Sequence, residues 1–98
     1  MNPSKVRRDR LAKLTDLPNI GPAMAKDFEL LGIRKAEQLK GRDPLRLYNE
    51  LSKKTKTRQD PCVLDTFISV VRFLEGDQPK PWWFYTEGRK KMYRRDLG

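Results

Sequence analysis

The chain has 98 residues, of which 37% are hydrophobic and 36% charged, and its formal net charge of +9 favours a polyanionic partner such as nucleic acid. This length predicts a single domain over residues 1–98, with a compact part at about 5–85 and a basic, partly mobile tail at 86–98. With one cysteine, Cys62, and no histidine, an internal disulfide and a classical zinc site are excluded, and we expect no metal and no cofactor. No apolar run is long enough for a signal peptide or a membrane span, which predicts a cytoplasmic protein.

The first predicted element is a basic amphipathic helix over residues 6–17. Leu11, Leu14 and Leu17 lie three residues apart and would share one helical face, with lysines and arginines around it. Pro18 lacks an N–H group and ends this helix. The basic face is either a solvated surface or a contact with nucleic acid, and the sequence leaves both interpretations open.

The sequence LPNIGP at residues 17–22 predicts a tight turn between two helices. Asn19 and Gly21 are residue types that accept positive φ, which would let Ile20 point into the core. Pro22 suits the first position of a new helix. That helix is indicated by apolar residues at helical spacing: Met24, Ala25, Phe28 and Leu31.

The start of this helix offers N–H groups without an intrahelical partner, at the positive end of the helix dipole, where phosphates bind. The turn resembles the hairpin of the helix-hairpin-helix family, which typically reads Pro-Gly-Ile-Gly-Pro and grips one nucleic-acid strand by its phosphates. The matching residues are Pro18, Ile20, Gly21, Pro22 and Ala25. Asn19 departs from the first glycine, and Ala23 and Met24 stand where the family often has Lys and Thr or Ser.

The resemblance implies that the N–H groups of Gly21, Ala23 and Met24 contact phosphates, with Lys26 as the nearest cation. It assigns to the nucleic-acid site Asn19, Ile20, Gly21, Pro22, Ala23, Met24 and Lys26. The alternative is a scaffold for protein interactions in which the hairpin is only a structural turn. The positive charge of the chain favours binding.

Two Asp-Pro pairs predict the starts of two further helices, each with an aspartate cap and a proline in the first turn. Asp43 and Pro44 open one, and Asp60 and Pro61 open the most apolar helix of the chain. A short helix at residues 35–40 precedes them. The expected fold is therefore all-α, with five main helices and no sheet.

The sequence LKGRD at residues 39–43 resembles a degenerate second hairpin, so that the whole chain resembles a tandem helix-hairpin-helix (SAM-like) domain with an aromatic and basic C-terminal tail. A charged residue replaces the central apolar one, which favours packing over binding and leaves Arg42 as a candidate phosphate contact. The polar stretch SKKTKTRQ at residues 52–59 predicts a loop, which is either a solvated linker or a segment that tracks the phosphate backbone through Lys53 and Lys54.

The tail begins with WWFY at residues 82–85. Because large aromatic side chains usually close a core, we expect part of this cluster to be buried against the apolar helix. The alternative is stacking on unpaired bases, which exposed aromatics beside cations can do.

From about residue 11 to residue 85 the chain resembles the small bacterial proteins of the pathogenicity-locus family, also labelled mitomycin-resistance-like. The resemblance rests on LPNIGPAMAKDFELLGI, KGRDPLRLYNEL, QDPCVLDTF and PWW. It implies a DNA-binding role, it implies no reaction, and it supplies no catalytic residue.

We expect no enzymatic activity. Asp27, Asp60 and Asp65 are better explained as a surface acid, a cap and a first-turn acid, and Cys62 has no histidine to act as its base. A chain of this length hardly has room for the flipped-base pocket of a glycosylase. The sequence therefore predicts a cytoplasmic, monomeric module that binds the DNA phosphate backbone without sequence preference, with RNA as the alternative nucleic acid and no membrane contact.

Overall fold

The computed structural model describes Val6 and residues 11–92, and these residues form helices and no strand. The four α-helices are α1 (Pro22–Leu30), α2 (Pro44–Thr55), α3 (Pro61–Leu74) and α4 (Thr86–Met92). Three short 3₁₀ helices precede α1, α2 and α4, at Leu14–Asp16, Ala36–Leu39 and Trp82–Tyr85. The all-α class is confirmed for the described residues, but they contain four α-helices where the sequence predicted five in the whole chain.

The predicted N-terminal helix is wrong where the structure describes it. Residues 11–13 are not helical, and Leu14–Asp16 is a single 3₁₀ turn. The three-residue spacing of the leucines fits a 3₁₀ period as well as an α-helical face. The Asp16 carboxylate accepts from the Lys13 N–H at 2.9 Å, which fixes the start of the turn there. Residues 7–10 of this predicted helix lie outside the described residues.

The short helix predicted at residues 35–40 is a 3₁₀ turn, Ala36–Leu39. Its start is held by the Gln38 side chain, whose Oε1 accepts from the N–H groups of Arg34 at 2.7 Å and Lys35 at 2.9 Å. A glutamine that reaches back in this way satisfies donors that would otherwise be orphaned at a helix start.

Both Asp-Pro starts are confirmed. The Asp43 side chain accepts from the Leu45 N–H at 3.0 Å, and the Asp60 side chain accepts from the Cys62 N–H at 3.0 Å. The first backbone hydrogen bond of α2 runs from the Leu47 N–H to the Asp43 carbonyl. Each cap stabilises its helix relative to alanine, because it satisfies an N–H group that has no partner within the helix.

Two stretches of the chain repeat the same local structure 22 residues apart. Each has a 3₁₀ turn, then a residue at positive φ, then a helix with proline at its first position. The positive-φ residues are Asn19 (65°) and Gly41 (77°). In both copies the residue after it donates its N–H to a buried leucine, from Ile20 to Leu17 and from Arg42 to Leu39. We refer to these as the 17–22 turn and the 39–44 turn.

Helix α3 forms the centre of the molecule and packs against α2, α4 and two of the 3₁₀ turns. Its fully buried Phe67 stacks at 5.2 Å on Phe28 of α1, and Leu64 and Val70 are also without exposed surface. The α2 side of the core comes from Leu47, Tyr48 and Leu51. A continuous apolar face along α3 therefore organises the other elements around it.

Asp65 was predicted to be a first-turn acid, but it is the fifth residue of α3, beyond the first turn, and it is buried. Its carboxylate accepts from the Thr86 hydroxyl at 2.8 Å and from Arg89 Nε at 2.7 Å, so α4 is bonded to the N-terminal half of α3. Hydrogen bonding to Asp65 raises the pKa of the Arg89 guanidinium. The sequence pattern did not predict α4, because its seven residues carry no apolar stripe. Of the tail predicted at residues 86–98, residues 86–92 form α4, and residues 93–98 lie outside the described residues.

Candidate nucleic-acid interface

The 17–22 turn has the predicted shape at Asn19 and Ile20 but not at Gly21. Asn19 takes positive φ, and Ile20 is completely buried. Gly21 lies at φ −95° and ψ −177°, an extended conformation that any residue adopts. The turn thus requires an unusual conformation at one residue only, and a substitution at Gly21 is not expected to strain the backbone.

The Asn19 side chain is a structural fastening. Its Nδ2 donates to the Ser69 hydroxyl of α3 at 3.1 Å and to the Lys80 carbonyl at 2.8 Å. The turn, α3 and the segment before the aromatic residues are therefore held together by one amide group. This fixes the position of α1's first residues relative to Lys80.

The start of α1 is open. Gly21 is the N-cap of α1 and offers no side chain to the N–H groups of Ala23 and Met24, while the first helical bond runs from the Ala25 N–H to the Gly21 carbonyl at 3.0 Å. A Cβ built on Gly21 would meet no atom within 4 Å. An anion therefore has both donors and room at this helix start.

Of the three helices that begin with proline, α1 differs from α2 and α3 at the N-cap residue. In α2 and α3 an aspartate carboxylate occupies the helix start and accepts from the N–H of the second helical residue, Leu45 or Cys62. In α1 the equivalent N–H is that of Ala23, and the equivalent capping residue is Gly21. The chain supplies its own anion at two of these helix starts and none at the third.

Lys26 is the predicted cation that lies nearest to this opening along the chain. It is exposed on α1 three residues after Ala23, hence on the same helical face. Among the described residues it takes part in no ion pair. Asp27, the next residue, is half-buried, and desolvation raises the pKa of its carboxyl.

Arg42 lies on the 39–44 turn and is paired. Its Nη2 is 4.0 Å from Glu50 Oε2, and Arg46 shares the same carboxylate at 3.3 Å. The start of α2 beside it is already capped by Asp43. The second turn therefore presents a carboxylate where the first presents free donors.

Lys53 and Lys54 do not lie in a loop, as the sequence predicted, but in the last turn of α2. They line a groove of about 310 Å³ together with Glu50 and with Leu31, the residue that follows α1. The opening at Gly21 is at the other end of α1, about 13 Å away for nine residues at 1.5 Å each. The structure thus separates these two lysines from the donors of the turn by the length of α1.

Sequence reasoning missed Lys80, which the structure brings to the 17–22 turn through its carbonyl. Its Nζ lies 4.4 Å from the centre of the Phe84 ring. The contact between Asn19 and Lys80 spans 61 residues, and no local pattern signals it. The run of aromatic residues that follows Lys80 at residues 82–85 was the available sequence signal.

Val6 and residues 11–92 contain no group of three or more His, Cys, Asp or Glu side chains that could hold a metal ion. Within the same residues, no helix has both the length and the apolar character needed to cross a membrane.

These features define a small, basic, all-α protein in which three of the four described α-helices start at proline and one turn structure occurs twice. A family model described as Pathogenicity locus matches residues 7–91, and the chain belongs to this family, as the sequence predicted. The chain is also 46% identical over 79 residues to the mitomycin resistance protein McrB of Streptomyces lavendulae, an alignment that covers 81% of this chain and 75% of that protein. No solved structure matches the chain at a significant level.

Proposed function

We propose that the chain is a non-enzymatic module that binds DNA without sequence preference, by holding backbone phosphates on the N–H groups of Gly21, Ala23 and Met24. The observation that carries this proposal is the open start of α1, in contrast to the starts of α2 and α3, which are each capped by an aspartate carboxylate. A phosphate oxygen would accept from Ala23 as Asp43 accepts from Leu45. The resemblance of the turn to a helix-hairpin-helix hairpin supports the same placement.

The charge of the chain supports a polyanion as the ligand. The net charge is +9, and Lys26 stands one turn beyond the opening. Contacts to phosphates position a strand but carry no sequence information. With one turn and a few cations, only a handful of phosphates would be neutralised, so the salt dependence should be shallow, at about 0.9 log units of slope per phosphate for duplex DNA.

The proposal includes no reaction. The Cys62 thiol is the obvious nucleophile, but desolvation and its hydrogen bond with Asp60 raise the pKa of this group. It therefore stays protonated near neutral pH and is a poor nucleophile.

A role in resistance to mitomycin is part of the proposal and rests on the relative from Streptomyces lavendulae, which is named a mitomycin resistance protein. Cells that express the chain are expected to survive a mitomycin dose better than cells that carry an empty vector. If DNA binding underlies this role, cells that express the chain with Gly21→Asp should not be protected.

The second candidate function, a scaffold for protein interactions, has one observation in its favour. The 39–44 turn has the same backbone as the 17–22 turn, yet its helix start is filled by Asp43. This chain therefore uses such a turn as a structural joint at least once. Under this alternative the 17–22 turn is also only a structural turn, and the open start of α1 at Gly21 binds no ligand.

The substitution Gly21→Asp separates the two functions. Because Gly21 is extended and has open space around it, the aspartate is expected to cap α1 as Asp43 caps α2, and stability should stay the same or rise by a few tenths of a kcal/mol. Its carboxylate would occupy the donors and repel phosphate. DNA affinity at low salt should then fall at least about tenfold for every sequence alike.

The matched control is Gly21→Ala, which adds no charge and should bind close to the native affinity. An NMR titration of the native chain with short DNA should shift the amide signals of Gly21, Ala23 and Met24. If Gly21→Asp folds and binds DNA as well as the native chain, the turn is a joint and the scaffold function is favoured. If the native chain shows no shifts at low salt, DNA binding itself is wrong.

A further inference from the structure

The aromatic turn Trp82–Tyr85 exposes two of its four rings. Trp83 is 63% exposed and Phe84 is 58% exposed, whereas Trp82 and Tyr85 are half-buried. The turn packs against α3, and Tyr85 lies against the hydrophobic core. The inner rings thus anchor the turn and hold the outer pair away from the core. We call Trp83, Phe84 and the neighbouring Lys80 the aromatic patch.

Each exposed ring of the aromatic patch contacts a half-buried ring edge-to-face. Trp83 lies nearly perpendicular to Trp82, with ring centres 5.6 Å apart, and Phe84 lies nearly perpendicular to Tyr85 at 5.1 Å. Such edge-to-face pairs are favourable. Aromatic side chains also have few torsions to order, so contact with a ligand costs little conformational entropy.

The aromatic patch is attached to the 17–22 turn through Lys80. The Asn19 amide bonds to the Lys80 carbonyl at 2.8 Å, and Trp83 follows three residues later. Three residues of extended chain span at most about 10 Å. A nucleic-acid strand with a phosphate at Gly21 would therefore have its neighbouring bases within reach of Trp83.

The charges around the aromatic patch match a nucleic acid. Lys80 places its ammonium 4.4 Å from the Phe84 ring centre, and Lys90 and Lys91 are exposed on the helix that follows. The one acid of α4, Glu87, lies 3.9 Å from Lys90. Exposed aromatic rings beside cations are the combination that stacks on unpaired bases while the cations attract the phosphates.

We propose that Trp83 and Phe84 stack on unpaired bases of a DNA strand whose phosphates lie at Gly21, so that the chain prefers single-stranded to duplex DNA. The proposal rests on the proposed function, since the start of α1 supplies the phosphate contact. In duplex DNA the bases are already stacked, and presenting them to the aromatic patch would require unstacking. The preference for single strands thus follows from the exposed rings, and the weak dependence on sequence follows because every base has a stacking face.

The test compares three DNA ligands of about ten nucleotides: oligo-dT, an abasic strand of equal length and a duplex. The abasic strand keeps the phosphates and lacks the bases. The native chain should bind oligo-dT about 5- to 150-fold more tightly than the abasic strand for each stacked base. Quenching of tryptophan fluorescence and fluorescence anisotropy of labelled DNA both report the binding.

Substitutions of Trp83 assign the difference to the ring. Trp83→Ala should lower the preference for oligo-dT by the factor of about 5 to 150 that belongs to one stacked base, and it should leave the affinities for the abasic strand and the duplex unchanged, while Trp83→Phe should keep most of the preference. Because Trp83 is largely exposed, neither change should alter the unfolding temperature appreciably. The matched control is Met92→Ala, which removes an apolar side chain of similar exposure (59%) that has no ring.

The outcomes separate this proposal from the function on which it rests. If the native chain binds oligo-dT and the abasic strand equally, stacking is wrong and phosphate binding at Gly21 stands. If none of the three ligands binds, both are wrong. If Trp83→Ala converts a dimer into a monomer in sedimentation and leaves the oligo-dT affinity unchanged, the aromatic patch contacts a second copy of the chain and the proposal is overturned.

Discussion

The substitution Arg89→Met is expected to destabilise the fold severely through Asp65. The Asp65 side chain has no exposed surface, and that of Arg89 is only 12% exposed, with 2.7 Å between Nε and the carboxylate. Without Arg89 the Asp65 carboxylate stays buried, and of the hydrogen bonds described above it keeps only the one from the Thr86 hydroxyl. Breaking a buried ion pair in this way costs about 3 to 5 kcal/mol.

That loss is a large share of the stability of a small domain, which is about 5 to 15 kcal/mol in total. At about 4 to 8 °C per kcal/mol, the unfolding temperature should fall by about 12 °C or more. Asp65→Leu should cost less, because Arg89 lies on the short helix α4 and its long side chain can turn its charge toward water. The two partners of the same ion pair should therefore differ in the cost of their removal.

The double variant Asp65→Leu, Arg89→Met is the matched control, since it removes both charges and leaves apolar side chains in their place. It should be more stable than Arg89→Met alone. Thermal and urea unfolding followed by far-ultraviolet circular dichroism measure all four chains. The reasoning is refuted if Arg89→Met unfolds within about 1 kcal/mol of the native chain, or if the second substitution recovers no stability.

Tyr85→Phe should raise the free energy of unfolding by about 1 kcal/mol, because the buried Tyr85 hydroxyl has no hydrogen-bond partner among the described residues. Tyr48→Phe removes a hydrogen bond to the Gln59 carbonyl and should lower the free energy of unfolding by a similar amount, and urea titrations measure both variants. Burial raises the pKa of Tyr85 above 10.0, so the unfolded chain ionises first and the advantage of Tyr85→Phe should grow above that pH, as unfolding at alkaline pH will test. Asn19→Ala should cost about 1 kcal/mol more than Asn19→Gly in thermal unfolding, since both remove the amide but only alanine strains at positive φ. Replacing Lys53 and Lys54 with alanine should flatten the log-log salt slope of duplex binding by about one unit per lost contact, and an unchanged slope would exclude both lysines.

The features that the sequence predicted correctly are local. Asp43 and Asp60 cap their helices through atoms only two residues away, so the Asp-Pro pattern contains all the information required. Positive φ at Asn19 and burial of Ile20 likewise follow from residue types within one turn. The leucine spacing of three before Pro18 was ambiguous, because a 3₁₀ turn and one face of an α-helix share it.

The features that the sequence could not predict depend on distant contacts. Helix α4 has no apolar stripe and is held by Asp65, which lies 24 residues before Arg89. The open start of α1 follows from residue type, but the bond that joins Asn19 to Lys80 spans 61 residues and has no local signal. Exposure of Trp83 was not decided by composition, since a run of four aromatics can face either way from a single turn of helix.

The hydrogen bond from Asn19 to Lys80 affects when, during synthesis of the chain, the 17–22 turn can take up its native position. The residues of the 17–22 turn leave the ribosome early, but their two recorded side-chain anchors lie 50 and 61 residues later in the chain. A nascent chain that ends before Lys80 contains every residue of the turn and lacks one of the groups to which the Asn19 amide donates. Any activity that depends on the exact placement of α1's first N–H groups therefore starts late in translation, after nearly the whole domain has emerged.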